Sequence, residues 1–452
     1  MFIHPDSQRM NESIKIDTLI QAKWIIPVEP DQLVLEQHAI AINDGLILDI
    51  LPVTKAKQCY RPQQMIILND HAVIPGLINL HTHGAMTLMR GLADDLPLME
   101  WLNHHIWPAE SRHVNMQYVF DGTMLACAEM IRGGITCFND MYFFPEATVA
   151  AAIQSGMRAS VGLVVIDFPT AYASDTDDYL AKGLSLRDQY QRHPLLSFCF
   201  APHAPYTVSD KTFSRIVTYA EQLNLPIHTH LHETQEEILI SEKNHGMRPI
   251  ERLRQLDLLG PNLIATHMIH LMDHEIDLLH QYGCHIAHCP SSNLKLGSGF
   301  APIPALLKQE INIGIGTDGA ASNNRLDLFE EMRLAALLTK AISGQAATLP
   351  AHQTLRMATL NGAQALGLEQ KIGSLTKGKA ADIIAIDFSD LNLMPCYDPI
   401  SHLIYTASRN HVSHVWINGD MLLEDHKLTT INLKDIQYRA LGWQERIAAS
   451  RS

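Results

Sequence analysis

The stretch "AVIPGLINLHTHG", residues 72–84, decides the fold: an apolar run that ends in His-Thr-His. Side chains on a strand alternate between its faces with a period of two, so His81 and His83 share a side and lie close enough to share one metal ion. A lone pair of this kind also fits two histidines hydrogen-bonded for packing near a strand end. The rest of the chain decides, by whether other segments bring further ligands to the same place.

Working outward, eight apolar runs read as strands, at 73–81, 135–140, 159–166, 196–203, 225–231, 262–267, 285–290 and 311–318. Between them lie helical patterns such as "DGTMLACAEMIRG", "PEATVAAAIQSG", "SDKTFSRIVTYAEQLN" and "DHEIDLLHQYG", several ending in Gly or Asn as a helix C-terminus does. Strand and helix in alternation favour parallel strands, and eight is the number that closes a (β/α)8 TIM-like barrel. A doubly wound open sheet would alternate in the same way, but no Gly-rich dinucleotide loop follows the first strand. His81, Asp140, His203, His230, His267, His288 and Asp318 all fall at the C-terminal ends of predicted strands, the face on which such barrels carry their chemistry.

The flanks have another texture. Residues 17–68 alternate short apolar runs with turn signals, which reads as antiparallel strands. After Lys371, "ADIIAIDF" and a hairpin pattern around Asn418-Gly419 look the same. The expected organisation is a small β-sandwich domain built from both chain ends, residues 1–68 and 372–452, around a metal-dependent barrel at 69–371.

Composition bounds the partners. Of 452 residues, 46% are hydrophobic and 18% charged, enough for a sizeable core and against extended disorder. A net charge of −14 repels a polyanionic backbone, so no nucleic-acid partner is expected, while a single nucleoside is acceptable. The seven cysteines are scattered without a CxxC pair and read as core thiols in a reducing compartment. The opening "MFIHPDSQRMNESIKID" lacks the pattern of a secretory signal, and no apolar run reaches membrane-spanning length. The expectation is a cytoplasmic protein with no membrane partner.

If the barrel closes, its first and eighth strands become neighbours, and His81, His83, His230 and Asp318 converge. Three imidazoles and a carboxylate suit zinc or another first-row divalent ion, with a further position for water. His228 is the alternative on the fifth strand, facing the same way as His230 but farther from the strand end. The fourth strand ends "APHAP", with no lysine to carry a bridging carboxylate, so one metal is the simpler count.

Glu233, three residues past His230, can take a proton from a metal-bound water and return it to a ring nitrogen. Glu236 and Glu237 read as the first turn of the next helix. Asp318 can bind the metal with one oxygen and accept from its water with the other, and His267 can donate to the attacking oxygen. The long segment after the first strand places Met86, Leu88, Met89 and Trp101 either over a substrate or in a loop core. Glu110 at its end can accept two hydrogen bonds from a ribose diol, and His203 can meet the sugar or a ring nitrogen. Ser322 and Asn323 read as an N-terminal cap or as support for the site; His288 is left outside the metal set.

Together, "PGLINLHTH", "HLHET", "ATHMIHL", "HCPSSNLKLGSG" and "GTDGAASNNRLDLFEEMR" resemble the amidohydrolase superfamily, and most closely its 5-methylthioadenosine/S-adenosylhomocysteine deaminases. The resemblance covers nearly the whole chain. It implies one Zn2+ per subunit held by His81, His83, His230 and Asp318, with Glu233 moving the proton and His267 polarising the water or stabilising the intermediate. Glu110 would bind the ribose hydroxyls and His203 the nucleoside. No counterpart is found for the arginines that recognise the substrate tail in some members. The implied reaction is hydrolytic deamination at C6 of an adenine nucleoside: 5'-methylthioadenosine, S-adenosylhomocysteine, 5'-deoxyadenosine or adenosine. A homo-oligomer, dimer or tetramer, is implied as well.

The same shell could act on guanine or another free base, or displace chloride from a triazine, because fold and metal do not choose the leaving group. A noncatalytic metal-stabilised scaffold is a third reading, disfavoured by the acid–base set.

Overall fold

The structure is a computed structural model that describes residues 13–450; residues 1–12 of the opening stretch lie outside the described residues. Its strands fall into two sheets of eight. Strands β1 (Ile14–Ile25), β2 (Leu35–Asn43), β3 (Leu46–Pro52) and β4 (Tyr60–Pro75) open the chain. Parallel strands follow as β5 (Leu77–Thr82), β6 (Ile135–Asp140), β7 (Arg158–Val165), β8 (Leu196–Pro202), β9 (Ile227–Leu231), β10 (Leu263–His267), β11 (His285–His288) and β12 (Ile313–Ile315). The chain closes with β13 (Ile383–Asp387), β14 (Val412–Ile417), β15 (Asp420–Glu424) and β16 (Lys427–Leu428).

Both chain ends contribute to the first sheet, in the order β16-β15-β14-β13-β4-β1-β2-β3. Alternation gives its strands two buried sides: Ile383 and Ala385 join Ile20, Ile40 and Trp416 in the sheet's own core, whereas Ile384 and Ile386 join the core of the barrel. Pairing is not uniformly antiparallel as expected, because β1 and β4 run parallel. A crossover through β2, β3 and the helix Val53–Cys59 separates those two strands, so no hairpin constrains their direction.

The expected first barrel strand, 73–81, is in fact two strands in different sheets. Strand β4 stays in the first sheet through Pro75, and β5 enters the barrel at Leu77. Gly76 makes the switch possible: a Cβ there would lie 2.0 Å from Thr136 Oγ1. A buried bidentate pair, Arg158 Nε and Nη2 to the Asp382 carboxylate at 2.7 and 2.9 Å, ties β7 to the terminal sheet.

The barrel ladder runs β5 through β12 in sequence order. Its seam, between β12 and β5, is closed largely by side chains. Asn79 accepts from Thr317 N at 2.9 Å and donates to Thr317 Oγ1 at 2.8 Å, while Asp318 N donates to His81 O at 2.9 Å. Gly316 permits the approach, since a Cβ there would lie 2.8 Å from His81 N.

The expected helices form at Met116–Arg132, Pro145–Ser155, Asp210–Leu223 and Asp273–Tyr282. The last three end on Gly156, Asn224 and Gly283 in the left-handed region. The long segment after β5 is helical rather than a loop: Gly84–Met89, then Leu98–Trp101, a π turn at Leu102–Ile106, and Trp107–His113. Among the described residues no helix is long and apolar enough to cross a membrane.

Candidate active site

His81 stands at the end of β5 with His83 just beyond it, His230 at the end of β9, and Asp318 beyond β12. The Nε2 atoms of His81 and His83 each lie 3.2 Å from Asp318 Oδ1, and His230 Nε2 lies 3.3 Å from His83 Nε2. The opposite ring nitrogens are committed: His83 Nδ1 donates to Met141 O at 2.6 Å and His230 Nδ1 to His203 O at 2.7 Å. A carbonyl can only accept, so those Nδ1 atoms carry the hydrogen and in the neutral ring the Nε2 atoms present lone pairs. His81 Nε2 is buried without a hydrogen-bond partner. Lone pairs facing one another beside a carboxylate oxygen repel unless a cation lies between them, and imidazoles oriented through their far nitrogen are how proteins hold metals. The donor set fits a divalent ion of the zinc type.

His228, the alternative to His230, meets the far side of His81 instead. Its Nε2 lies 2.9 Å from His81 Nδ1 and 3.1 Å from Thr266 Oγ1, and Asn139 holds its Nδ1 at 3.1 Å. It orients His81 from below.

Glu233 and His267 stand together, both buried, with Glu233 Oε2 3.8 Å from His267 Nε2. Burial raises the Glu233 pKa above the ordinary carboxylate value, against the pull of His267. Asn293 Oδ1 accepts from His267 Nδ1 at 2.8 Å, which places the hydrogen on Nδ1 and leaves Nε2 as an acceptor in the neutral ring. His267 (φ 75°) and Asp318 (φ 63°) both sit in the left-handed region that non-glycine residues avoid, strain of the kind proteins store at functional sites.

Two expectations for supporting residues are refined. Glu237 lies in the first turn of the helix Gln235–His245 as expected; buried there, it also accepts from His232 N at 3.0 Å and Glu233 N at 2.9 Å and so shapes the turn that presents Glu233. Burial lifts its pKa to about 8. Of the two roles expected for Ser322 and Asn323, the cap of the helix Leu328–Ser343 falls to Asp327, which leaves them the support role. Asn323 instead bridges Thr317 O and Glu331, and Ser322 lines the cavity. Asp318 is held harder than expected, since Oδ1 accepts from Gly319 N at 2.7 Å and Oδ2 from Ser292 Oγ at 2.6 Å.

A cavity of about 310 Å³ opens over these residues. His203 and Glu110 line it, and Glu110 accepts from Tyr142 Oη at 2.7 Å. Met86 and Trp101 face the cavity, while Met89 lies buried in the cluster behind it with Leu88 packed alongside, so the apolar stripe divides between both expected roles. His288 stays apart, with its Nδ1 buried and unpartnered. No lysine or arginine among the described residues lines the cavity.

The Amidohydrolase family model matches residues 72–422. The chain belongs to the amidohydrolase family. This amidohydrolase is 48% identical over 443 residues to a 5-methylthioadenosine/S-adenosylhomocysteine deaminase of Saccharophagus degradans, covering 98% of this chain and 99% of the relative. A 5'-deoxyadenosine deaminase of Methanosarcina mazei is 38% identical, covering 96% of this chain and 99% of its own. Among solved structures, an adenosine deaminase from Xanthomonas campestris with bound zinc superposes with a TM-score of 0.96 at 47% identity, covering 97% of this chain and 100% of that one.

The sequence of this amidohydrolase did not reveal several groups that hold the site, namely Asn79, Asn139, Ser292, Asn293 and Tyr142, nor the supporting role of Glu237. Asn79 carried a usable signal, a polar residue at an inward position of an apolar strand just before the histidine pair, and "PSSN" was a polar cluster beside a strand end. Tyr142 carried none.

Proposed function

We propose that the chain is a zinc-dependent hydrolytic deaminase that converts the 6-amino group of adenine nucleosides to the inosine derivative and ammonia. The observation that carries it is the facing set of His81, His83 and His230 lone pairs with the Asp318 carboxylate, beneath a cavity lined by Glu233, His267 and Glu110. The near full-length deaminase relatives support the substrate class.

In this reading His81, His83, His230 and Asp318 hold one zinc ion per subunit. When bound, the metal lowers the pKa of water so that a nucleophile is available at neutral pH. Glu233, buried beside His267, takes the proton released by the attacking water and gives it to ring N1 as C6 becomes tetrahedral, then moves the remaining hydroxyl proton to the amine, which leaves as ammonia. Asn293 accepts from His267 Nδ1 and keeps Nε2 aimed at the reacting side, where it can accept a hydrogen bond from the attacking water. Glu110 accepts from the ribose diol with its position set by Tyr142, and His203 contacts the nucleoside. Asp318, restrained by Ser292 and Gly319, keeps a fixed carboxylate orientation.

The test is ammonia release by the purified zinc protein on adenine nucleosides, guanine and chlorotriazines. Adenine nucleosides are the expected substrates, and turnover confined to guanine or triazines overturns the reading. Glu233→Gln should keep fold and zinc while losing at least about 100-fold in rate; an unchanged rate removes the proton role. We also infer a cytoplasmic homo-oligomer, dimer or tetramer, supported by family membership and the unpaired cysteines; light scattering reads the subunit count.

A further inference from the structure

We propose that the helix Leu433–Ala449 is a positioning element of the nucleoside cavity, with Trp443 holding the wall that carries Glu110. The inference rests on the nucleoside reading above.

The wall is the helical segment 98–113, interrupted by the π turn at Leu102–Ile106. Leu98, Trp101, Leu102, Ile106 and Glu110 line the cavity. An i to i+5 turn inside a helix is a local irregularity, and its geometry depends on what packs behind it. Behind it lies one buried cluster that joins Trp101, Leu102 and Ile106 to Tyr118 and to Trp443 and Ile447. Along the helix Leu433–Ala449, Trp443 and Ile447 are spaced by four and face inward, while Tyr438 and Leu441 are exposed.

Two polar attachments follow Glu110 along the chain. Nearer to it, Arg112 donates to Ser450 O at 2.9 Å, and the His113 ring lies 2.7 Å from Ser450 Oγ. Farther on, Trp443 Nε1 donates to Asp121 Oδ2 at 2.9 Å, and Asp121 Oδ1 accepts from Arg439 at 3.0 Å and from Gln117 at 2.9 Å. The indole also meets the Tyr118 ring edge to face, with centroids 5.1 Å apart. Arg112 and His113 follow Glu110 by two and three residues, and Tyr118 lies in the first turn of the next helix. Glu110 therefore sits on a short helix tied at its far end to Ser450, while the helix Leu433–Ala449 packs on Gly84–Met89 and Met116–Arg132, the elements before and after the wall; the Glu110 carboxylate must meet a diol within hydrogen-bond tolerance. Loosening the helix Leu433–Ala449 should weaken substrate binding and leave the metal and the proton-transfer groups in place.

The experiment uses the full-length zinc protein with Trp443→Ala, Trp443→Phe and the surface control Leu441→Ala. Kinetics on 5'-methylthioadenosine are combined with zinc content and hydrogen exchange over residues 98–118. The expected result for Trp443→Ala is a KM raised at least about tenfold with kcat within about twofold, zinc content unchanged, and faster exchange in 98–118 but not in β5 or β9. Trp443→Phe, which keeps an aromatic ring and loses the donor to Asp121, should lie between it and wild type, and decides the matter if the alanine variant does not fold. Leu441→Ala should match wild type. The proposal is overturned if KM and exchange in 98–118 stay at wild-type values in both tryptophan variants, or if exchange rises throughout the barrel with loss of zinc. Should wild type fail to deaminate nucleosides, the functional reading fails, and the exchange pattern still decides whether Trp443 holds the wall.

Discussion

Asn79→Ala tests the coupling between barrel closure and metal binding. Asn79 is fully buried at the seam, accepting from Thr317 N and donating to Thr317 Oγ1. The substitution strands the Thr317 N–H in the interior, a cost of about 1–3 kcal/mol, and removes a second hydrogen bond worth about 0.5–1.5 kcal/mol. Thr317 Oγ1 keeps its bond to Asp318 O at 2.9 Å, so the hydroxyl adds no further penalty. The expected loss is about 1.5–4.5 kcal/mol, read as a lower urea midpoint of the metal-free protein. His81 lies two residues along one side of the seam and Asp318 one residue along the other, so zinc affinity, measured by competition with a chromophoric chelator, should fall by about 10–100-fold. A variant that loses stability while holding zinc within about twofold of wild type would refute the reasoning, because the seam would then be structural without governing the ligand geometry.

Asn293→Ala removes the acceptor that fixes the His267 tautomer, and should lower kcat by about 10–100-fold with zinc content unchanged in parallel metal analysis. Glu331 is buried, accepts from Ser291 N and Asn323, and has a pKa raised by burial to about 8, above its unfolded value. The folded state then holds a proton that the unfolded chain has released, so this contribution is fully present below about pH 4.5 and is lost as pH rises toward 8; Glu331→Gln should flatten the slope of stability by up to about 1.4 kcal/mol per pH unit in that window, and an unchanged slope in a urea series would contradict it. Because no lysine or arginine among the described residues lines the cavity, the zwitterionic tail of S-adenosylhomocysteine finds no cationic partner for its carboxylate. Steady-state kcat/KM should favour 5'-methylthioadenosine by at least about tenfold, and equal values would show that the tail escapes to solvent.

Much of this was legible in one dimension. Strand β6 spans the residues that periodicity predicts, and the other barrel strands differ at their ends by a few residues. The terminal strands were recognisable from their turns, but the parallel pairing of β1 with β4 was not, since a strand's direction relative to a distant partner leaves no local mark. The split of 73–81 between two sheets was hidden for the same reason: Gly76 looks like any turn glycine until Thr136 is seen against it.

Local chemistry in the sequence was enough to nominate the imidazoles, the carboxylates and the barrel, because strand periodicity and side-chain type are properties of neighbouring residues. What needed three dimensions was which nitrogen of each histidine faces the centre, and that His230 rather than His228 turns toward His83. Those choices are made by carbonyls and amides arriving from other strands, Met141 and His203 for two ring nitrogens and Asn293 for a third. A hydrogen bond acts over about 3 Å of space and is indifferent to separation along the chain, so only the closed barrel could decide them.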